Sequence, residues 1–310
     1  MRDRSLCAEI SAETAEPLEA TASRIDHWLL VEYRGLWARD LLSGSRLDGA
    51  VQANLREQLA SLPRSRLLFV RRPQRAREAG IVVYVGQTSE VDSAFFGFEF
   101  ESYEELAQLD LAGALRERKR PLSHPLLAVC THGKRDRCCA RYGRPLYDAM
   151  REQVDPNWVW QASHVGGDRF AGNVVCFPQG LYFGRVGRRD TAPLLDEFLD
   201  GRIYLRCFRG RCCYPFPVQA AEQAVRERSA LAGIDDLRLA AAHRHPDEMW
   251  SVSFQAVPTG EVHTVEVRTE LGDLTYLTCS APTLQRPRRF VATEHRVERV
   301  SAGTPPGPAV

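Results

Sequence analysis

Lysine is almost missing from this chain: Lys119 and Lys134 are the only two in 310 residues. Arginine carries the positive charge and is interleaved with Asp and Glu, to a formal net charge of +1. A chain so balanced has no electrostatic footprint for nucleic acid, and basic clusters such as Arg71-Arg72 and 116–120 read as solvated faces. No run approaches the roughly 18 to 20 apolar residues that a membrane span requires. The start, Met-Arg-Asp-Arg-Ser-Leu-Cys7, has charge but no apolar stretch of the kind a secretory signal needs, so a cytoplasmic protein is expected. Glycine-rich phosphate loops, flavin and nicotinamide motifs and paired glycosidase carboxylates are missing as well.

What is present is cysteine, nine residues of it. An odd number in a chain with no export signal argues against a disulfide scaffold and for metal or redox chemistry. Two groups are clustered, Cys130/Cys138/Cys139 and Cys207/Cys212/Cys213, the second read mainly as core thiols at a domain junction. Cys7, Cys176 and Cys279 stand alone, and a lone cysteine is usually a small buried hydrophobe.

Hydrophobic patterning divides the chain into an N-terminal α/β domain (1–122), a central domain (123–208), a C-terminal α+β domain (209–300) and a disordered tail (301–310). The first shows strands at 25–33, 66–70 and 80–85 around a helix at 48–62. The central one runs strand 125–129, cysteine loop, helix from about Arg144 to Gln153, strand 158–162, histidine loop, a hairpin around Pro178-Gln-Gly180, and a helix at 192–200. That order is the order of a minimal thioredoxin-like fold. The third has a helix at 218–231 and an antiparallel meander of strands at 250–257, 261–268 and 274–279.

The chemistry gathers in two loops. An apolar run leads into Cys130-Thr-His-Gly-Lys-Arg-Asp-Arg-Cys138-Cys139, and Trp158-Val-Trp160 leads into His164-Val-Gly-Gly-Asp168. Soft and borderline ligands at two strand ends are what a metal or iron–sulfur site needs if its donors converge. Together with Ala171-Gly-Asn173 and Pro178-x-Gly-x-Tyr182-x-Gly-Arg-Val186, these motifs resemble the sucrase/ferredoxin-like family, and Arg211-Cys-Cys-Tyr-Pro215 resembles its bacterial branch. The resemblance implies a thioredoxin-like ferredoxin domain whose [2Fe-2S] cluster is held by two cysteines and two histidines on two loops.

Carried over position by position, the family's cysteines fall on Cys130 and Cys139 and its first histidine on His164. Its second histidine falls on Asp168, which is the departure from the pattern. The implied donor set is Cys130, Cys139, His164 and Asp168, with Cys138, His132 and Cys176 as alternates for the fourth position. Arg135 is placed to offset thiolate charge, or else to fix the loop with Asp136. Gly166 and Gly167 supply either a close backbone approach or a tight turn. The function implied is a non-catalytic electron carrier with a redox protein as partner. A thiol-dependent oxidoreductase using vicinal Cys138-Cys139 competes with it, though Cys-x-x-Cys at a helix start is missing. So does a zinc-bound or metal-free partner-binding module, since two cysteines, a histidine and an aspartate also suit zinc.

Overall fold

Two runs of the chain with the same order of elements build the core. The computed structural model describes residues 6–72, 80–119 and 121–299, so the tail expected at 301–310 lies outside the described residues. After a short helix α1 (Cys7–Glu13) come β1 (His27–Glu32), α2 (Gly49–Ser61), β2 (Ser65–Arg71), β3 (Ile81–Gln87), β4 (Ala94–Phe100) and α3 (Leu111–Glu117). The second run is β5 (Leu126–Cys130), α4 (Arg137–Arg151), β6 (Val159–Ala162), β7 (Val174–Phe177), β8 (Leu181–Phe183) and α5 (Arg188–Leu199).

In each run the first two strands are parallel, which requires a helical crossover between them. The third strand returns antiparallel against the first, and the fourth pairs with the third. Both runs therefore have the thioredoxin-like strand order of second, first, third, fourth. They join edge to edge: β2 and β6 pair antiparallel at Val70–Ala162 and Arg71–Gln161. With β9 (Phe208–Arg211) beyond β8, a nine-stranded sheet results, ordered β4-β3-β1-β2-β6-β5-β7-β8-β9.

This sheet curls on itself. Trp28 of β1 and Phe95 of β4 meet Phe177 of β7, with ring centroids 4.8 and 4.5 Å apart, although other strands lie between them in the sheet. The enclosed core draws Trp28, Leu30 and Val70 from one run and Ala128, Trp160 and Phe177 from the other. The two runs are separate in sequence, α3 ending at Glu117 and β5 starting at Leu126, while this shared core joins them in space. The outer faces are covered separately: one core includes Val51 and Leu55 of α2 and Leu111 of α3, the other Leu146 and Met150 of α4 and Leu194 of α5.

The last part is α6 (Phe216–Ser229) packed on a four-stranded meander of β10 (Leu237–Arg244), β11 (Met249–Ala256), β12 (Glu261–Leu271) and β13 (Arg288–Arg299). A buried ion group ties it to the main sheet. Arg211 Nε at the end of β9 donates to Glu222 Oε1 of α6 at 2.8 Å, and Arg226 Nη2 donates to the same oxygen at 3.0 Å.

Two expected elements are corrected. The helix expected from Arg144 opens at Arg137, because the Asp136 side chain caps it by accepting the Cys138 N–H at 2.8 Å. The strand expected at 274–279 is a loop with an isolated bridge at Thr275–Gln285; the partner of the eleven-residue β12 is β13 instead. The backbone at 279 is engaged elsewhere, its N–H donating to Asp136 Oδ2 at 2.6 Å.

Candidate metal centre

The site is made where β5 and β6 end side by side. They are parallel neighbours, with Cys130 paired to Ala162, so the cysteine and histidine loops leave the same edge of the sheet. Cys130 is the last residue of β5 and Cys139 lies in the first turn of α4. The helix packs close because of Gly143: a Cβ there would stand 1.9 Å from the Cys130 carbonyl oxygen. Any larger residue would push α4, and Cys139 with it, away from Cys130.

His164 follows β6. Gly166 (φ 102°) and Gly167 (φ 78°) then turn the chain through left-handed conformations into a 3₁₀ turn, Asp168–Phe170. Gly167 also leaves room for Arg209, since a Cβ would fall 2.3 Å from its Nη2.

The donor atoms of Cys130, Cys139 and His164 lie within 4.8 Å of one another. Both thiols are buried and His164 is partly exposed. Asp168 is not one of these mutually close donors but stands beside two of them: its Oδ1 accepts from the Cys139 thiol at 3.2 Å and is 3.0 Å from His164 Nδ1. That imidazole nitrogen is buried, and the carboxylate lies off the line of an ideal N–H bond.

The Cys130 thiol is held well below its ordinary range, chiefly by the neighbouring Cys139 thiol and then, against burial, by His164. The Cys139 thiol is raised in return by Cys130 and by burial. Burial works to lower His164, but Asp168 and Cys130 outweigh it and the imidazole is pushed up to about 9. Burial likewise opposes ionisation of Asp168, yet His164, the Cys139 thiol and Arg135 hold its carboxyl below the usual range. The pocket is built to carry negative charge on sulfur and oxygen.

The alternates fall outside this group. Cys138 turns away, its Sγ lying 3.6 Å from that of Cys7 and 3.4 Å from that of Cys279. The vicinal cysteines therefore face different neighbours. Cys176 of β7 packs in the core on the opposite face of the sheet, among Leu127 and Val129. His132 is buried edge-on against Trp37, and its Nδ1 accepts the backbone N–H of His164 at 3.3 Å, fixing the histidine loop. Cys207 and Cys212 are core thiols, Cys212 donating to Thr88 Oγ1 at 3.2 Å.

Sequence reasoning missed Arg209. This side chain on β9 is buried beneath the histidine loop and donates to the Gly166 carbonyl at 3.1 Å, Asn173 Oδ1 at 2.8 Å, Thr21 Oγ1 at 3.0 Å and the Thr21 carbonyl at 2.6 Å. Asn173 in turn donates to the Gly167 carbonyl at 2.9 Å. The partners of Arg209 are all neutral, and burial brings it down to about 10. A buried cation needs a counter-charge, and Tyr182, Cys130 and Asp168 favour its charged form against burial. The one sequence signal was an arginine in the short run Phe208-Arg-Gly-Arg211.

The sequence profile of the sucrase/ferredoxin-like family matches residues 18–210, which takes in both strand–helix runs. "Altered inheritance of mitochondria protein 32" of Debaryomyces hansenii is 29% identical over 103 residues, covering 30% of this chain and 38% of the relative. Its namesake in Meyerozyma guilliermondii is 29% identical over 117 residues, covering 34% and 41%. The one in Saccharomyces kudriavzevii is 30% identical over 95 residues, covering 26% and 30%. The chain thus spans about two fifths of the length of the first two relatives. These relatives are fungal and give the expected bacterial branch no support. Among solved structures, a cysteine-to-serine variant of the thioredoxin-like [2Fe-2S] ferredoxin from Aquifex aeolicus is similar at 21% identity and a TM-score of 0.25. The match covers 27% of this chain and 97% of that one. Matched over more than half its length, and with the family's motifs converging on one sheet edge, the chain belongs to the sucrase/ferredoxin-like family.

Proposed function

We propose that this protein is an electron-transfer or redox protein that binds one [2Fe-2S] cluster through Cys130, Cys139, His164 and Asp168. The observation that carries the proposal is the meeting of two thiols and an imidazole from two loops, against a carboxylate and near a buried arginine whose hydrogen-bond partners among the described residues are neutral. The donor set suits the group: thiolates for one iron, nitrogen and oxygen for the other, as in asymmetric sites with histidine ligands. A cluster held there supplies one-electron redox chemistry. Two thiolates and one carboxylate bring such a site to about one net negative charge, between the all-cysteine and the two-histidine cases. Arg209 and Arg135 offset that charge from inside and from the rim. His164 is the partly exposed donor, so it is where a partner redox protein would approach and where a proton would be exchanged with solvent.

A thiol oxidoreductase using Cys138-Cys139 finds less support, because those thiols face opposite neighbours. Nine free cysteines agree with a reducing compartment, either the cytoplasm or, following the name of the fungal relatives, the mitochondrial interior. No helix among the described residues is long and apolar enough to cross a membrane.

Anaerobic purification tests the proposal. The expected product is coloured, with iron and acid-labile sulfide in equal amounts, and both are lost in Cys130→Ser and Cys139→Ser. A colourless wild-type protein without iron overturns it.

A further inference from the structure

A second group of thiols lies on the far side of Cys139. Cys7 from α1, Cys138 from the start of α4 and Cys279 from the loop after β12 form a triangle. Their Sγ atoms are 3.6 Å apart for Cys7–Cys138, 3.4 Å for Cys138–Cys279 and 3.6 Å for Cys279–Cys7. The Asp136 carboxylate stands beside them, its two oxygens 3.9 and 4.0 Å from Cys7 Sγ. Cys7, Cys138 and Asp136 are buried, and Cys279 partly so.

We propose that Cys7, Cys138, Cys279 and Asp136 form a structural zinc site, separate from the Cys130/Cys139/His164 group. The geometry argues for a metal in two ways. Zinc–thiolate bonds of about 2.3 Å in a tetrahedron place sulfurs about 3.8 Å apart, within a few tenths of an ångström of all three edges seen. All three thiols meet at these similar distances, whereas a disulfide joins only two sulfurs, at about 2.05 Å. Soft thiolates with one carboxylate at a closed, four-donor corner suit zinc above the harder cations. The carboxylate is held in place, since Asp136 Oδ1 accepts the Cys138 N–H at 2.8 Å and Oδ2 the Cys279 N–H at 2.6 Å, and each oxygen keeps a lone pair.

The elements joined here need an anchor. Helix α1 has seven residues, too few to be stable alone, and the loop at 272–287 has no strand pairing beyond one bridge. Zinc binding would displace the thiol protons to solvent and tie these two distant segments to the first turn of α4. It would also give the vicinal cysteines different tasks: Cys139 serves the proposed cluster and Cys138 the zinc.

This proposal does not rest on the iron–sulfur reading, and one set of preparations separates them. Full-length protein, produced with zinc in the medium and freed of loosely bound metal by gel filtration, is assayed for zinc, iron and sulfide. About one zinc per chain is expected in the wild type and in Cys130→Ser, falling at least about tenfold in the Cys7→Ser/Cys279→Ser double variant, whose iron and sulfide stay unchanged. Cys279→His, which keeps a zinc donor, should retain the metal. A second arm adds Co²⁺ to metal-stripped Cys130→Ser/Cys139→Ser protein, in which the first group has lost its thiols; intense thiolate-to-cobalt absorption with the visible bands of tetrahedral cobalt is expected from the Cys7, Cys138 and Cys279 group. Zinc-free wild type, with no cobalt spectrum from that variant, overturns the proposal, as does zinc that follows Cys130 rather than Cys7 and Cys279. So does a disulfide among the three thiols found in anaerobically purified protein.

Discussion

Asp168 is the residue at which this chain departs from the pattern it otherwise keeps. Its carboxylate touches both the Cys139 thiol and the His164 ring, which is the ground for proposing it as a fourth donor in place of an imidazole. Replacing an anionic donor with a neutral one makes the site less negative and an added electron easier to accept. Asp168→His should therefore raise the reduction potential, by on the order of 100 mV, in protein-film voltammetry. An unchanged potential and visible spectrum would remove Asp168 from the donor set. Arg209 predicts the opposite sign. Arg209→Gln removes a buried positive charge and should lower the potential in the same measurement, while the side-chain amide keeps part of the bonding to Asn173 and Thr21. A potential that does not move would make Arg209 a loop brace alone.

At the scale of elements, the site depends on how closely α4 approaches the end of β5. Gly143→Ala places a methyl group against the Cys130 carbonyl, where backbone faces backbone and neither side can rotate away. A loss of about 2–3 kcal/mol is expected in urea denaturation, as for overpacked cores, together with lowered iron retention because Cys139 moves with the helix. The joint between β9 and α6 is the second sensitive element. Burial opposes ionisation of Glu222, but Arg211 and Arg226 hold its carboxyl below the ordinary range. Such a depressed group contributes stability that is present above the unfolded carboxylate pKa and is lost as pH falls through the folded value. Glu222→Ala leaves two buried guanidinium groups without their counter-ion, at a cost of about 3–5 kcal/mol. The loss of stability that wild type shows on acidification should be smaller in the variant, as followed by circular dichroism.

For the molecule as a whole, the consequence of the curled sheet is that the two thioredoxin-like runs share one interior. Trp28 belongs to the run without the proposed ligands, yet it packs against Phe177 and within 6.4 Å of Tyr182, both in the run that carries them. Trp28→Ala should cost about 3–5 kcal/mol. It should also shift tryptophan fluorescence and the visible absorbance of the proposed cluster to a lower urea midpoint together. Two separate transitions, with only the fluorescence one moved, would mean that the runs are independent folding units.

The motifs were legible in the sequence because they are local. Cys130, Cys139, His164 and Asp168 sit just after apolar strand signals, and strand ends are where such side chains converge. The order of strands and helices within 123–208 followed from periodicity for the same reason. The start of α4 was misplaced although its signal was local too, an Asp just ahead of the helix, with Gly143 and Pro145 falling inside the helix rather than before it. The repetition of the same fold in 27–117 was hidden, because that run carries no ligands and strand pairing between β2 and β6 leaves no mark on either segment.

What the sequence determined by itself was the class of the central domain and the residue types its two loops present, since periodicity and residue type act over a few neighbouring positions. What only the tertiary structure decided was proximity over long stretches of chain. It brought Arg209 under the histidine loop, set Cys138 apart from Cys139, and gathered Cys7, Cys138 and Cys279, the first and last of them 272 residues apart, within 3.6 Å. Lone cysteines read alike in a sequence whether they are packed singly in a core or meet at one point. The difference lies in the path of the chain between them, and that path is fixed by burial and sheet pairing summed over the whole fold.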